Sequence, residues 1–498
     1  MDKYYEQPTA TEYSKRWLAL FVLLLGTFMV ILDSFIVNIA IPTIQVQLHA
    51  SASQIQFIVV AYVLSYAVLL IMGARLGDKL GRKKIFITGM SVFILASAMC
   101  GFAINTSFLI VSRVLQGIGA ALLIPQVLSI IQIIFPPEEK GKAIGLYGAV
   151  SGLGLIAGQM IGGLLLHWNV WELGWRSVFL INIPIGILAV LLIIPLIPEI
   201  CSKEEKGIDW IGMILLACSM FLLVYPLVMG REAGWPLWVY MSFISSLLLF
   251  IFFLFHEKKM VLSEKEPLIP VEIFTDSSFS FGILTILAYQ IGNGGFFLVV
   301  SLILQDGLLL SAMDSALAFT PIGGAFFIAC LLAPKWSKKT NGAVLKWGAL
   351  ILIIGYLAVI AVTYYFEKRL YWQQFIVPFF LIGFGQGLIG APLMGTILSN
   401  VRRNYVGSAS GILSTFMQLA NVFGIAIIGT VYFSSINIRK IEQLGHLGVE
   451  SYMDSFNVAL LCSMSLAIIT FILIFYLFFQ QKKAIEQQIT PSLKQVNN

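Results

Sequence analysis

Long apolar runs recur along this chain, each near twenty residues and each closed by a short polar stretch. About twenty such residues cross a hydrocarbon core roughly 30 Å thick when they fold as a helix. The pattern predicts spans at 17–40, 55–75, 84–104, 107–129, 142–166, 176–197, 210–229, 238–256, 279–304, 314–334, 344–366, 374–398, 407–432 and 457–480. Charged residues make up only 11% of the chain and hydrophobic ones 59%. A soluble domain carries about 25% charge, so the soluble reading is set aside. The first run begins at Trp17 behind a polar leader. It is longer than a signal-peptide core and holds Asp33, Asn38 and Pro42, so it is expected to be a retained span.

Lys and Arg set the expected orientation. With an even number of spans both termini share one side, and 24 of the 31 Lys and Arg fall on that side against 6 on the other. Arg113 is left inside a span. The asymmetry follows the positive-inside rule and makes both termini cytoplasmic. The net charge of +6 therefore reflects a membrane face and calls for no nucleic acid. The expected location is a prokaryotic cytoplasmic or inner membrane.

The five cysteines (Cys100, Cys201, Cys218, Cys330 and Cys462) show no CxxC or paired spacing, and His49, His167, His256 and His446 are scattered. Neither a disulfide framework nor a metal site is expected, and no cofactor is implied. No Gly-x-x-x-x-Gly-Lys-Ser/Thr loop is present, so the chain is not itself an ATP-driven pump. Clustered catalytic groups at one membrane face are also missing, which argues against an enzyme.

A weak internal repeat is visible. Gln116-Gly117-Ile118-Gly119-Ala120-Ala121 with Pro125 is matched by Gln386-Gly387-Leu388-Ile389-Gly390-Ala391-Pro392, and Gly141–Gly145 is matched by Gly407–Gly411. Both elements keep their order and orientation. Parallel repeats of this kind mark two-halved transporters with a substrate site between the halves. The expected organisation is a leader (1–16), a six-helix half (17–197), two inserted helices with flanking loops (198–272), a second six-helix half (273–480) and a tail (481–498). The polar runs Cys201–Asp209 and His256–Glu266 bound the inserted pair, with Gly234-Trp235-Pro236 as the turn between them.

After span 2 comes Gly73-Ala74-Arg75-Leu76-Gly77-Asp78-Lys79-Leu80-Gly81-Arg82-Lys83-Lys84, read as an inner loop. Its glycines permit a tight reversal, and Asp78 is placed to cap a helix N-terminus. This spacing resembles the signature loop of the major facilitator superfamily. Leu32-Asp33-Ser34-Phe35-Ile36-Val37-Asn38-Ile39-Ala40-Ile41-Pro42 is similar to the first-helix motif of its fourteen-helix drug:proton antiporter branch, the EmrB/QacA-like multidrug efflux transporters. Arg113-Val114-Leu115-Gln116-Gly117-Ile118-Gly119 resembles the fourth-helix motif, and Trp175-Arg176-Ser177-Val178-Phe179-Leu180-Ile181-Asn182-Ile183-Pro184-Ile185-Gly186 opens span 6 as in that branch. The resemblance implies an all-α major facilitator fold of two six-helix halves plus two inserted helices. It also implies a gating role for Gly73, Asp78, Gly81, Arg82 and Lys83. One departure stands in span 5, where Gln159 replaces the proline of the antiporter motif. Gly154, Gly158, Gly162 and Gly163 remain, and the first three form a close-packing stripe.

Two charges lie in apolar surroundings, Asp33 and Arg113. An ionisable residue inside a membrane is a functional candidate by default. At 1.5 Å rise per residue both are expected roughly 10 Å below the outer surface, where one cavity would hold them. Burial and a neighbouring cation act oppositely on a carboxylate's proton affinity. A movement that alters their separation would therefore load and release a proton. Asp306 and Asp314 near the ends of spans 9 and 10 are expected to be solvated, with a weaker claim to a substrate vestibule. Asn38, Gln116, Gln290, Asn293, Phe296, Gln386 and Gln418, with Asn421, are candidates to line an amphipathic cavity. No acid lies deep in spans 10 or 13, so a preference for dications is not supported.

The reading is a proton-coupled exporter of small amphipathic or drug-like compounds working by alternating access. The alternative is a dedicated exporter or uptake carrier for one metabolite, siderophore or antibiotic. Its partners are a small-molecule substrate, protons and the lipid bilayer. Accessory envelope proteins are left open.

Overall fold

A computed structural model describes residues 15–199, 207, 209–263, 265, 267–269, 271–275, 277–340, 342–366, 371–398, 406–436 and 449–496. Among them, 14 helices are long and apolar enough to cross a membrane. They are α1 (Arg16–Leu48), α2 (Ala52–Leu80), α3 (Arg82–Gly101), α4 (Thr106–Ile134), α5 (Pro137–Trp168), α6 (Gly174–Leu196), α7 (Trp210–Met229), α8 (Leu237–Leu262) and α9 (Ser277–Gly307). The remainder are α10 (Ala312–Lys339), α11 (Val344–Phe366), α12 (Trp372–Leu398), α13 (Val406–Ser435) and α14 (Val449–Val496).

Several helices outrun the predicted spans. A helix satisfies its backbone internally in lipid and in water alike, so it need not stop where hydropathy falls. α1 continues through Pro42 to Leu48 and ends at His49 in the left-handed conformation. The stretch from Gly73 to Leu80, expected as a loop, is the last part of α2. Only Gly81 (φ 107°) separates it from α3, a backbone angle that favours glycine. His256 and Glu257 likewise belong to α8 rather than to a loop. Gly234 (φ 74°) and Trp235 (φ 56°) make the turn between α7 and α8.

Packing repeats between the halves. Gly117 of α4 lies against Tyr62 and Ser65 of α2, and Gly387 of α12 lies against Phe326 and Ala329 of α10. Gly119 meets Gly89 and Phe93 of α3, and Gly385 meets Gly348 and Leu352 of α11 in the same way. Small residues let these backbones approach closely, which drives association where lipid is as apolar as leucine. The halves meet through α5 against α10 and α2 against α13, and α7–α8 sit beside that second contact. Ser219 and Ser246 tie α7 to α8 by hydrogen bonds to each other's carbonyls, at 3.0 and 2.8 Å.

One face carries the start of α1 and the α2–α3 junction, and is called the basic face here. On the opposite face the halves are joined by hydrogen bonds. Ser301 donates to the Asn38 carbonyl (2.6 Å) and Gln305 to the Ile39 carbonyl (3.2 Å). Toward the basic face α5 is exposed, and a Cβ added at Gly141, Gly145 or Gly148 would meet nothing within 4 Å. The same holds for Gly395 of α12 and Gly411 of α13. The cleft between the halves therefore opens toward the basic face.

Candidate functional site

Asp33 and Arg113 meet. Both are 0% exposed, and Arg113 Nη1 lies 2.5 Å from Asp33 Oδ2. Because α1 runs on to Leu48, Asp33 sits further from its helix end than the span limits imply, yet the carboxylate and the guanidinium reach the same level. Asp33 Oδ1 accepts hydrogen bonds from Gln116 Nε2 and Asn182 Nδ2, both at 2.8 Å. Gln116 Oε1 accepts from Arg113 Nη1 at 2.7 Å. Ser97 Oγ receives both amides, at 3.1 and 2.9 Å, and donates to the Phe179 carbonyl. Arg113 Nε reaches the Ile58 carbonyl, and the guanidinium lies over the Tyr62 ring at 4.1 Å. One arginine nitrogen, Nη2, has no hydrogen-bond partner among the described residues.

The arrangement follows from local sequence. α1, α3, α4 and α6 each contribute a polar side chain that apolar neighbours turn inward, since lipid offers no partner. Donors converge on a carboxylate that is wholly enclosed by the first half. Among the described residues, the hydrogen-bond and ion-pair partners of Asp33 all belong to that half. Asn182, Ser97 and Tyr62 belong to the site and were not singled out. Asn182 was visible inside the span 6 motif as an amide within an apolar run.

Other candidates fall in different places. Gln116, expected on a cavity wall, is a ligand of Asp33. Phe296 is also off the cavity, packed in the second half against Tyr356 and Phe379 with ring centroids 5.6 and 6.2 Å away. Gln386 is buried and donates to Asn293 Oδ1, while its own carbonyl accepts from Tyr289 Oη at 3.0 Å. These amides bridge α9 and α12. Gln290, Gln418 and Asn421 are half-buried. Asn38 is buried, and its carbonyl joins the halves as described. Asp306 lines a small cavity of about 200 Å³ with Gln45, Arg231, Tyr432 and Tyr452. Asp314 closes a local turn with Ser311 at the start of α10 (2.7 Å).

The glycine stripe divides. Gly154, Gly158 and Gly162 pack on Ile31, Leu32, Phe35 and Ile36 of α1, whereas Gly163 packs on Ala312, Met313 and Ala316 of α10. Gln159 is buried beside this stripe and neither end of its amide has a partner among the described residues.

At the basic face Asp78 does not cap α3, whose N-cap is Gly81 with no side-chain bond. It sits in the last turn of α2 and pairs with Arg82 at 2.7 Å. Arg82 also donates to the Ser129 carbonyl on α4, and Lys83 donates to the Ile194 carbonyl at the end of α6 (2.6 Å). Gly73 approaches Ala121 of α4 too closely for any side chain. The segment is thus a clamp on helix ends. Asp78→Asn is expected to slow transport several-fold while equilibrium substrate affinity stays within a few fold. Paired transport and binding measurements check this, and a large affinity loss with normal conformational exchange would count against a gating role.

Comparison with known proteins gives the family. The Major Facilitator Superfamily model matches residues 23–425. The chain belongs to the major facilitator superfamily. It is 34% identical over 426 residues to the probable actinorhodin transporter of Streptomyces coelicolor, covering 84% of this chain and 73% of that protein. To the puromycin resistance protein pur8 of Streptomyces alboniger it is 32% identical over 421 residues, covering 84% and 82%. A bacterial homologue of the human lysosomal transporter Spinster, solved in an inward-facing and unoccupied conformation, shares the fold. Its TM-score is 0.65 at 17% identity, with 93% of this chain and 97% of that one covered. Like other members of the superfamily, this protein is a multi-pass membrane transporter and not an enzyme.

Proposed function

We propose that this major facilitator is a secondary active exporter of small amphipathic or drug-like compounds, coupled to proton entry, with its basic face and termini in the cytoplasm. The observation that carries the coupling is the enclosed Asp33–Arg113 pair and its place on α1. Besides the α5–α10 and α2–α13 contacts, the second half also holds that helix. Phe35 meets the Phe297 ring at 5.1 Å, and Asn38 and Ile39 accept bonds from α9. When the halves rock, α9 draws α1 against α4. Separation of Asp33 from Arg113 leaves a carboxylate without its counter-ion in a low-dielectric interior, where binding a proton removes the charge. Return of the pair expels the proton. The cycle thus ties one rearrangement to one proton without substrate touching Asp33. Export of drug-like compounds is favoured by the relatives' names, which speak of antibiotic transport and resistance.

A second reading, a dedicated carrier for a single compound, is favoured by the actinorhodin relative, whose name gives one product. The two separate in sealed vesicles with an imposed proton gradient and a panel of dyes, antibiotics and single metabolites. Broad accumulation that collapses with a protonophore fits the first reading, and one accepted compound fits the second. Gradient-independent movement overturns the coupling. An impermeant thiol reagent that labels a cysteine at position 83 from outside intact cells overturns the orientation.

A further inference from the structure

A cavity of about 450 Å³ lies between the inserted pair and the second half, away from the Asp33 network. Its size falls in the range of small-molecule sites, roughly 300–1,000 Å³. α7, α8, α9 and α13 line it, with Ile269 and Phe274 between α8 and α9, and its walls are mostly apolar, a third of them phenylalanines that include Phe243, Phe250, Phe416 and Phe423. Four polar residues break that surface: Ser219 and Ser246 are bonded to each other's carbonyls, and the other two are not fully satisfied. Thr415 is 1% exposed and its hydroxyl has no partner among the described residues. Glu257 is 0% exposed; Oε2 accepts from the Ile269 amide at 2.8 Å, and Oε1 has no donor.

Glu257 has a carboxyl neighbour. A Cβ at Gly212 would strike both Glu257 Oε1 and Asp209 Oδ2, so the two oxygens converge over one glycine. Asp209 Oδ2 likewise has no N–H donor. Its other oxygen is held by the Gly212 amide and by His256 Nε2, both at 2.9 Å. Burial pushes the Asp209 carboxyl up, but those two partners and Glu257 outweigh it and hold it below the ordinary range. Two facing carboxyl oxygens without donors are satisfied by a proton shared between them. Other charged groups nearby are accounted for. Arg75 of α2 is near enough for its charge to act on Glu257 and also donates to the Gly207 and Pro267 carbonyls, and Lys258 and Lys259 are exposed. The lining residues of α9 and α13 include no titratable group.

We propose that this cavity is a second binding site, for a lipophilic monovalent cation whose charge takes the place of the proton shared by Asp209 and Glu257. Aromatic faces attract a desolvated cation, the free threonine hydroxyl offers it an oxygen, and the carboxyl pair supplies the counter-charge. One cation enters and one proton leaves. The site stands on the inserted helices and does not depend on how Asp33 is used.

Equilibrium dialysis of radiolabelled tetraphenylphosphonium against the full-length protein in nanodiscs tests this. The probe's charge does not titrate, so affinity should rise with pH by about tenfold per unit while the shared proton is being displaced. Glu257→Gln should remove that slope and weaken binding at least about tenfold, the expected loss of a buried counter-charge. Leu287→Trp fills the cavity from α9 while leaving both carboxyls in the chain, and should remove the same binding component. It decides the matter if Glu257→Gln does not insert. Neutral triphenylphosphine oxide should not compete. Binding that neither substitution changes, equal competition by the neutral compound, or a phospholipid that tetraphenylphosphonium does not displace overturns the proposal.

Discussion

Asp33→Asn is expected to abolish gradient-driven export, to the level of protein-free vesicles, while the protein still inserts and folds. Asparagine keeps the shape of the side chain and its Oδ1, which still accepts from Gln116 or Asn182 as it does now. Arg113 keeps the Gln116 amide oxygen, the Ile58 carbonyl and the Tyr62 ring. What disappears is the carboxylate to which the proposed coupling assigns the proton. Downhill exchange of substrate across the membrane, which needs no proton, should therefore survive at a measurable rate. Wild-type export against a gradient by Asp33→Asn would rule out the assignment. Loss of both active and downhill movement, with normal insertion, would make Asp33 a structural residue.

The second large effect belongs to the partner. Arg113→Ala leaves a fully buried carboxylate without its counter-charge and opens a void over Tyr62. Removing one partner of a buried pair costs about 3–5 kcal/mol, so thermal unfolding in detergent should show marked destabilisation. The positive charge that competes with a proton for Asp33 is also gone. Protein that does insert should therefore transport with its pH profile moved to higher pH. A double variant, Asp33→Asn with Arg113→Gln, removes both charges together. It should recover most of the stability and none of the proton coupling. If the double variant is as unstable as Arg113→Ala, the loss comes from packing and not from an uncompensated charge. An unmoved pH profile in Arg113→Ala would leave Arg113 a purely structural role.

The pair was legible because opposite charges in apolar runs are rare and costly, and because span direction gave both residues a similar depth. Depth along a helix can be counted from sequence, but azimuth across a bundle cannot. Gln116 was therefore placed on a cavity wall when it faces Asp33, and Phe296 was placed there when it fills the interior of the second half. Helix ends were the other blind spot. Hydropathy falls at Gly73 and again at His256, yet the backbone stays helical to Leu80 and Leu262. That continuation turns Asp78 from a cap into the partner of Arg82. It also hides Glu257, which the run of charged residues around it made look like part of a solvated loop.

The inserted pair has a consequence for how long the transporter waits in each state. Near the end of α7 opposite the basic face it is fastened to both halves at once. Ser53 of α2 donates to the Val228 carbonyl at 2.8 Å and its amide to Glu232 at 2.9 Å. Thr430 of α13 donates to the Leu227 carbonyl at 3.1 Å. Opening that side must release one set or the other, at about 1 kcal/mol per hydrogen bond. In the idle protein this spring-like tether weights the ensemble toward the shape that gapes at the basic face. In the proposed orientation, an exporter built this way rests with its mouth toward the compartment it clears, and the scarcity of the reverse shape limits leakage of compound back through it.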